Sequence, residues 1–279
     1  MKNKNLPSSV IIFIVLAISS FLFIVPFLWT FLTSLKTNQE IYTSQIRVFP
    51  TVVSFEHYVR VITRMGDFIR FFSNSVIVGF WSVLAIVILS STLGYAFSKL
   101  EFKFKRFFLG VFLFVITLPY VIYLIPIYMM KMRMNLINTH LGLILPYIAL
   151  YLPMAVFIMR GQFNGVPDTL RDAARIDGCG AFGIFTRIML PVVKPGIATV
   201  IIFTFINVWG EFTYARTLTI NARSQTLPVG ITFLRDEATS WQYGSLTATI
   251  VLTLIPVLII FLSMQKYFIK GIMEGALKG

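Results

Sequence analysis

Long apolar stretches alternate with short polar ones along the whole chain. Six of them, Val10–Thr33, Ser75–Phe97, Phe107–Met130, Leu141–Met159, Val192–Phe212 and Leu246–Phe268, are long enough for an α-helix to cross a hydrocarbon core of about 30 Å. Backbone amides in lipid have no water to bond, so each stretch is predicted to be helical. The pattern predicts an all-α, polytopic membrane protein with six transmembrane helices. Lys2 and Lys4 precede the first stretch and Ala17-Ile18-Ser19 imitates a signal-peptide cleavage site, but the apolar run continues well past it, so no cleavage is expected. The segments Ser34–Asn74 and Thr213–Ser245 are mixed polar and aromatic and too short for a core of their own. With no internal repeat or low-complexity tract, one domain over residues 1–279 is expected.

Composition agrees: 57% of residues are apolar, 13% are charged and the mean hydropathy is +0.83, far from a soluble domain. The net charge of +13 does not make this a nucleic-acid binder, because its basic residues are scattered between apolar blocks with no basic stripe or aromatic interleaving. Their placement speaks to orientation instead. Lys2 and Lys4, the loop with Lys99, Lys103, Lys105 and Arg106, the loop with Arg160, Arg171, Arg175, Arg187 and Lys194, and the tail with Lys266, Lys270 and Lys278 all fall on one side if both termini are cytoplasmic.

Some chemistries are excluded. Cys179 is the single cysteine, so no intramolecular disulfide forms. No G-x-x-x-x-G-K-[ST] run offers a phosphate cradle for ATP. His57 and His140 are far apart and no metal set can be assembled around them. The spans lack the central carboxylates of a coupling-ion site, which argues against a stand-alone secondary transporter, and no triad or carboxylate pair suits a membrane enzyme.

The polar loop 160–191 carries the most specific pattern. Pro167 suits the first position of a helix and Asp168 its first turn, while Gly178 suits its end. Leu170, Ala173, Ala174 and Asp177 would then form a narrow face of small and apolar groups, flanked by Arg171, Asp172 and Arg175. Such a helix can press into a groove on another protein or lie on the membrane surface. The run Asp172-Ala173-Ala174, three residues, Gly178, nine residues, Ile188-Met189-Leu190-Pro191 resembles the "EAA" loop of binding-protein-dependent ABC permeases, E-A-A, three residues, G, nine residues, I-x-L-P, with Asp172 in place of the glutamate. Lys194-Pro195, Trp209-Gly210-Glu211-Phe212, Thr226-Leu227-Pro228-Val229-Gly230 and the ending Gly271-Ile272-Met273-Glu274-Gly275-Ala276-Leu277-Lys278-Gly279 are similar to the second permease subunit of maltose-type carbohydrate importers.

That resemblance implies the transmembrane domain of a type I ABC importer, which moves a sugar, or a non-sugar solute in the alternative, by alternating access. It implies that Asp172, Ala173, Ala174, Arg175, Asp177, Gly178, Leu190 and Pro191 belong to a coupling loop docked on an ATPase subunit, and that the tail residues Glu274, Gly275 and Lys278 also reach the ATPase dimer. Its implied partners are that dimer, which would carry ATP and Mg, a second homologous permease subunit, an extracytoplasmic solute-binding protein docking on Thr213–Ser245, and the bilayer. The chain itself is expected to bind no cofactor or metal.

A possible pathway or gate is sketched by Glu211, Pro126, Pro153, Tyr123 and Tyr151. Glu211, the one acid within a predicted span, lies at its outer end, where it either serves transport or is simply solvated. Trp209 beside it suits an interfacial anchor. Pro119 and Pro126 are seven apart, as are Pro146 and Pro153, so each pair shares a helical face and should bend its span in one direction, as a gate hinge or as a packing kink. Tyr120, Tyr123, Tyr147 and Tyr151 have faces and hydroxyls suited to sugars and equally to the membrane boundary. Gly271 and Gly275 match a small-xxx-small pattern but lie beyond the last apolar block.

Overall fold

The computed structural model describes residues 6–43, 45, 47–63, 67–232 and 243–276, with backbone alone for 6–9 and 268–276. In chain order the helices are α1 (Leu6–Ser34), α2 (Asn38–Ile41), α3 (Glu56–Thr63), α4 (Phe68–Lys99), α5 (Lys105–Thr117), a 3-10 turn (Tyr120–Tyr123), α6 (Leu124–Arg133), α7 (His140–Asn164) and α8 (Asp168–Ile176). They continue with α9 (Ala181–Gly183), a π-helical turn (Ile184–Met189), α10 (Leu190–Val192), α11 (Lys194–Trp209), α12 (Thr213–Leu218), α13 (Leu227–Ile231) and α14 (Tyr243–Ala276). No strand occurs among the described residues.

Among the described residues, four helices are long and apolar enough to span a membrane alone, and two bent helix pairs bring the total to as many as six. The bends revise the spans expected at 107–130 and 192–212. The third span breaks between Thr117 and Tyr120, its halves meeting at 98°. Leu118, which precedes Pro119, is extended at ψ 135°, as the proline ring of the next residue demands. Pro119 therefore ends a helix rather than curving it, and Pro126, in the first turn of α6, removes an N–H that has no helical partner anyway. Pro146 and Pro153 sit inside α7, which is assigned as one continuous helix. The fifth span is α11, starting at Lys194, and meets the Ala181–Val192 segment at 75°. A continuous helix would drive the Pro195 ring into the carbonyl of Pro191, and the chain turns at Val193. The second and fourth spans overrun their expected ends, because Phe68–Lys99 and His140–Asn164 carry helix into the flanking polar residues.

Contacts group the chain into two compact units. The first holds residues 1–68 and 233–255. Here α1 presents an apolar window with no buried residue, while α2 and α3 fold around Lys36. The Lys36 ammonium lies 5.1 Å over the Trp29 ring and donates to the Arg47 carbonyl. The fully buried His57 ring bonds the Lys36 carbonyl at 2.9 Å, and burial holds its pKa below the usual 6.5.

The second unit holds residues 69–232 and 256–279. Its core has two clusters strung along α7 and α11. One joins Ile86, Met159, Phe163 and Val200 to Ala174, Ile184 and Met189, beneath the polar loop. The other joins Val78, Leu143, Tyr147 and Val208 to Tyr214, Leu218 and Val229. At Gly94 of α4 a Cβ would stand 2.6 Å from Met159 Cβ, so only glycine lets α4 lie this close to α7.

Candidate functional site

The polar loop folds into a helix held from beneath and open above. Pro167, extended at ψ 139°, precedes α8 as its cap residue, one position earlier than the sequence suggested, and Asp168 opens the helix. The Lys99 ammonium, at the end of α4, donates to Asp168 Oδ1 at 3.0 Å and to the Val166 carbonyl at 2.6 Å. Arg171 Nη1 returns to the Lys99 carbonyl at 2.9 Å. These bonds tie the start of α8 to the second span. They also hold the Asp168 carboxyl below its usual pKa, chiefly through the Lys99 hydrogen bond and charge.

The far end of α8 is locked by backbone geometry. Gly178 has φ +80°, the left-handed conformation that a Cβ penalises. Its N–H donates to the Arg175 carbonyl at 3.1 Å, and the Cys179 N–H donates to the Ala174 carbonyl at 3.0 Å. This is the paired Schellman arrangement that satisfies the last carbonyls of a helix. Cys179 then packs beside Ala174 on the core, the apolar contact that accompanies such a cap.

Between the two fastenings the faces separate differently from the expected grouping. Ala174, 3% exposed, faces the core, and Arg171 lies along the same inner side. Thr169, Asp172, Ala173 and Ile176 are exposed, Thr169 and Ile176 each lying three or four positions from both Asp172 and Ala173. Ile176 is 86% exposed and Phe182, just beyond α8, 78%. The two alanines thus do different work, one seating the helix and one presented outward. The Asp172 carboxylate lies 3.5 Å from Arg171 Nε and 3.9 Å from Arg175 Nη1, surface contacts worth at most about 1 kcal/mol, so it stays available to a stronger partner. Arg175 and Asp177 are exposed; Leu190 packs against the core cluster beneath α8, and Pro191 is exposed.

The gate candidates do not gather in one place. Glu211 lies beyond the end of α11 and is buried rather than solvated, 7% exposed. Its carboxylate accepts the Tyr147 hydroxyl at 2.7 Å and the backbone N–H groups of Tyr214 at 2.8 Å and Ala215 at 2.9 Å. It therefore caps α12 and fastens it to α7. The Tyr214 hydroxyl donates to the Tyr120 carbonyl at 2.7 Å, which joins the break in the third span to the same cluster. Tyr151 packs beside Tyr147, ring centroids 6.3 Å apart. Tyr123 and Pro126 belong to the broken span, and Pro153 is buried inside α7. Trp209 is also buried, stacked with Phe205 at 5.2 Å, so it is a packing residue rather than an exposed anchor. Glu274 and Gly275 lie in the last turns of α14, whose side chains are not described, and Lys278 lies outside the described residues. Among the described residues, no cluster suits a metal.

Sequence reasoning missed Lys99, which counted only toward the charge bias, and Tyr147 as the partner of Glu211, 64 positions away. It also missed Asn74, whose amide donates to the Arg223 and Gln225 carbonyls while its oxygen meets the His140 ring at 2.9 Å.

The model of the family described as binding-protein-dependent transport system inner membrane component matches residues 91–274, which include the whole loop and its fastening to α4. The chain belongs to this family. It is the membrane-embedded transport subunit of an ABC importer, and ATP hydrolysis lies on a separate subunit. The chain is 33% identical over 282 residues to the arabinooligosaccharides transport system permease protein of Halalkalibacterium halodurans, covering 100% of both. It is 32% identical to the sulfoquinovosyl glycerol transport system permease protein of Agrobacterium fabrum, covering 91% of this chain and 88% of that one. A bacterial ABC transporter involved in the import of the acidic polysaccharide alginate has the same fold in its crystal structure, with a TM-score of 0.82 at 20% identity over 96% of this chain and 99% of that one. The transmembrane fold is therefore that of a type I importer.

Proposed function

We propose that this chain imports a carbohydrate of the oligosaccharide class by alternating access, together with a second permease subunit, a pair of ATPase subunits carrying ATP and Mg, and an extracytoplasmic binding protein. The observation that carries this reading is α8: a helix fastened at both ends, with Asp172, Ala173 and Ile176 turned outward. A helix so held moves as a rigid body with the spans beneath it, so force applied by a docked ATPase reaches α4 through Lys99 and the α7–α11 core through Ala174. ATP binding shifts the transporter between its states by as much as it favours one of them. The sugar class is supported by relatives matched over nearly their whole length, named for arabinooligosaccharides and for sulfoquinovosyl glycerol.

In this reading both termini and the 160–191 loop face the cytoplasm, Asp172 meets a cationic group of the ATPase, and the tail around Glu274 to Lys278 reaches the same dimer. The binding protein docks on the outer segment that contains α12 and α13. The test is Asp172→Lys in cells, with sugar uptake, ATPase activity and co-purification of the ATPase subunit measured together. Uptake should collapse while the chain remains in the membrane. Full uptake with normal ATPase retention sinks the coupling role of this residue. Labelling of Cys179 by an impermeant thiol reagent from outside intact cells would reverse the topology.

A further inference from the structure

A cavity of about 500 Å³ opens where α5 begins and α7 nears its end, lined by residues of the 101–106 turn, Leu109 and Arg160. Its charge is unbalanced. Glu101 is the one carboxylate in the wall, and it is taken up by Lys105, whose ammonium lies 2.9 Å from Glu101 Oε1 and also donates to the Leu100 carbonyl. Arg106 and Arg160 have no hydrogen bond or ion pair among the described residues, and Arg160 Nε is sealed from solvent without an acceptor. A buried donor left this way is costly. Two planar guanidiniums beside one cavity form the fork geometry that phosphate oxygens satisfy.

The backbone around the cavity is also shaped unusually. Phe104 has φ +66°, a conformation that a bulky side chain rarely adopts and that tends to persist at ligand clamps. It caps α5 with no side-chain hydrogen bond, and although the Lys105 N–H is taken by the Phe102 carbonyl at 3.3 Å, the positive end of a 13-residue helix still faces this turn. Below the cavity α5 buries none of its residues, and Phe107 and Phe114 are 65% and 63% exposed. A charged recess thus sits at the head of an apolar helix flank, at the end of a membrane span.

We propose that this cavity holds the phosphodiester headgroup of an anionic phospholipid, with its acyl chains lying along α5. The exposed phenylalanines favour a lipid over free phosphate, since they give the chains a surface continuous with the headgroup site. The pairing of Glu101 with Lys105 favours an anionic lipid over a zwitterionic one, since no free carboxylate remains to meet a choline or ethanolamine. Basic recesses between membrane helices take such headgroups generally.

The test is native mass spectrometry of the full chain, purified in mild detergent and titrated with phosphatidylglycerol or with phosphatidylcholine of the same acyl length. The chain should prefer phosphatidylglycerol by about tenfold, and R106Q should weaken it by about fivefold, as one interfacial cation is worth about 1 kcal/mol. R106Q/R160Q should remove the preference and leave phosphatidylcholine binding unchanged. Arg106 is exposed, so R106Q keeps the test decisive if Arg160 proves necessary for folding. Equal affinity for the two lipids, or wild-type phosphatidylglycerol affinity in R106Q, overturns the proposal. So does displacement of the lipid by inorganic phosphate at matching concentration, which would mark a soluble-phosphate site. Loss of the lipid preference when the chain is assembled with its partner subunits would also overturn it, because a partner's acidic group would then be the occupant.

Discussion

Asp172 and Glu211 are both carboxylates that the sequence singles out, and the fold treats them in opposite ways. Glu211 is buried and fully engaged, with a tyrosine hydroxyl and two backbone N–H groups bound to it. Asp172 is exposed and touches only two arginines of its own helix, at 3.5 and 3.9 Å. A buried acid whose acceptors are all used holds a structure together, since each bond it loses leaves a buried donor unsatisfied. An exposed acid on a rigid helix does little for the isolated chain and leaves its charge for a partner. The contrast separates a fastening at one end of the α7–α11 pair from an exposed, charged helix face at the other.

The sharpest way to break this contrast is to remove both carboxylates in turn. Glu211→Ala strands the Tyr147 hydroxyl and the N-terminus of α12, at about 1–3 kcal/mol for each unsatisfied group. It should lower the thermal midpoint of the detergent-purified chain and its abundance in the membrane more than any other single change considered. Asp172→Ala should leave both unchanged. Equal midpoints for the two variants would show that burial of Glu211 contributes nothing.

Function should reverse the order. Asp172→Lys should cut sugar uptake by about tenfold or more, since breaking one side of a docked charge pair costs about 2–5 kcal/mol, and Asp172→Ala should be milder because it adds no like charge. Uptake assays normalised to membrane abundance check this. A similar loss for both variants would mean that the charge is not what docks.

Gly178→Val should act between these two. It forces a β-branched side chain to φ +80°, at about 1–3 kcal/mol, and should loosen the end of α8 without touching its exposed face. Gly178→Asn should recover most of the loss, because asparagine tolerates this conformation. Cys179 reactivity toward a thiol reagent in membranes reads the result: it should rise in Gly178→Val and return toward wild type in Gly178→Asn.

The smallest effect is at the other fastening. The Asp168 carboxyl titrates below its usual 3.8 because of Lys99, so the stabilisation is fully present above about that pH and is lost as pH falls through the lowered value. The thermal midpoints of wild type and Lys99→Ala should differ by a constant small amount from pH 7 down to about 4, then the gap should narrow in more acid solution to what the Val166 carbonyl bond contributes. A gap that widened there would contradict the ion pair.

Legibility in the sequence followed the range of the interaction. The α8 helix and its glycine cap were readable because they depend on neighbours: Asp168 in the first turn, and Gly178 where a left-handed residue is needed. The division between Ala173 and Ala174 was not, because both are small and adjacent, and the core beneath chooses which one it covers. Pro119 was visible as a disturbance of the third span, but a curve and a 98° break have the same sequence signature. Glu211 looked like a boundary residue because the Tyr147 hydroxyl that meets it lies 64 positions away.

The sequence alone determined that this chain lives in a bilayer, that its elements are helices, and that one polar loop bears a small, punctuated helix of the importer type. Those conclusions rest on hydrophobic length, on the need to satisfy backbone amides within each span and on local turn chemistry, all of which act over a few residues. Only the tertiary structure decided which carboxylate is buried and which is exposed, where the spans break, and that Lys99 and Ala174 tie α8 to the membrane helices. Each of these depends on which distant side chain fills a given space, and residue spacing along the chain carries no record of that choice.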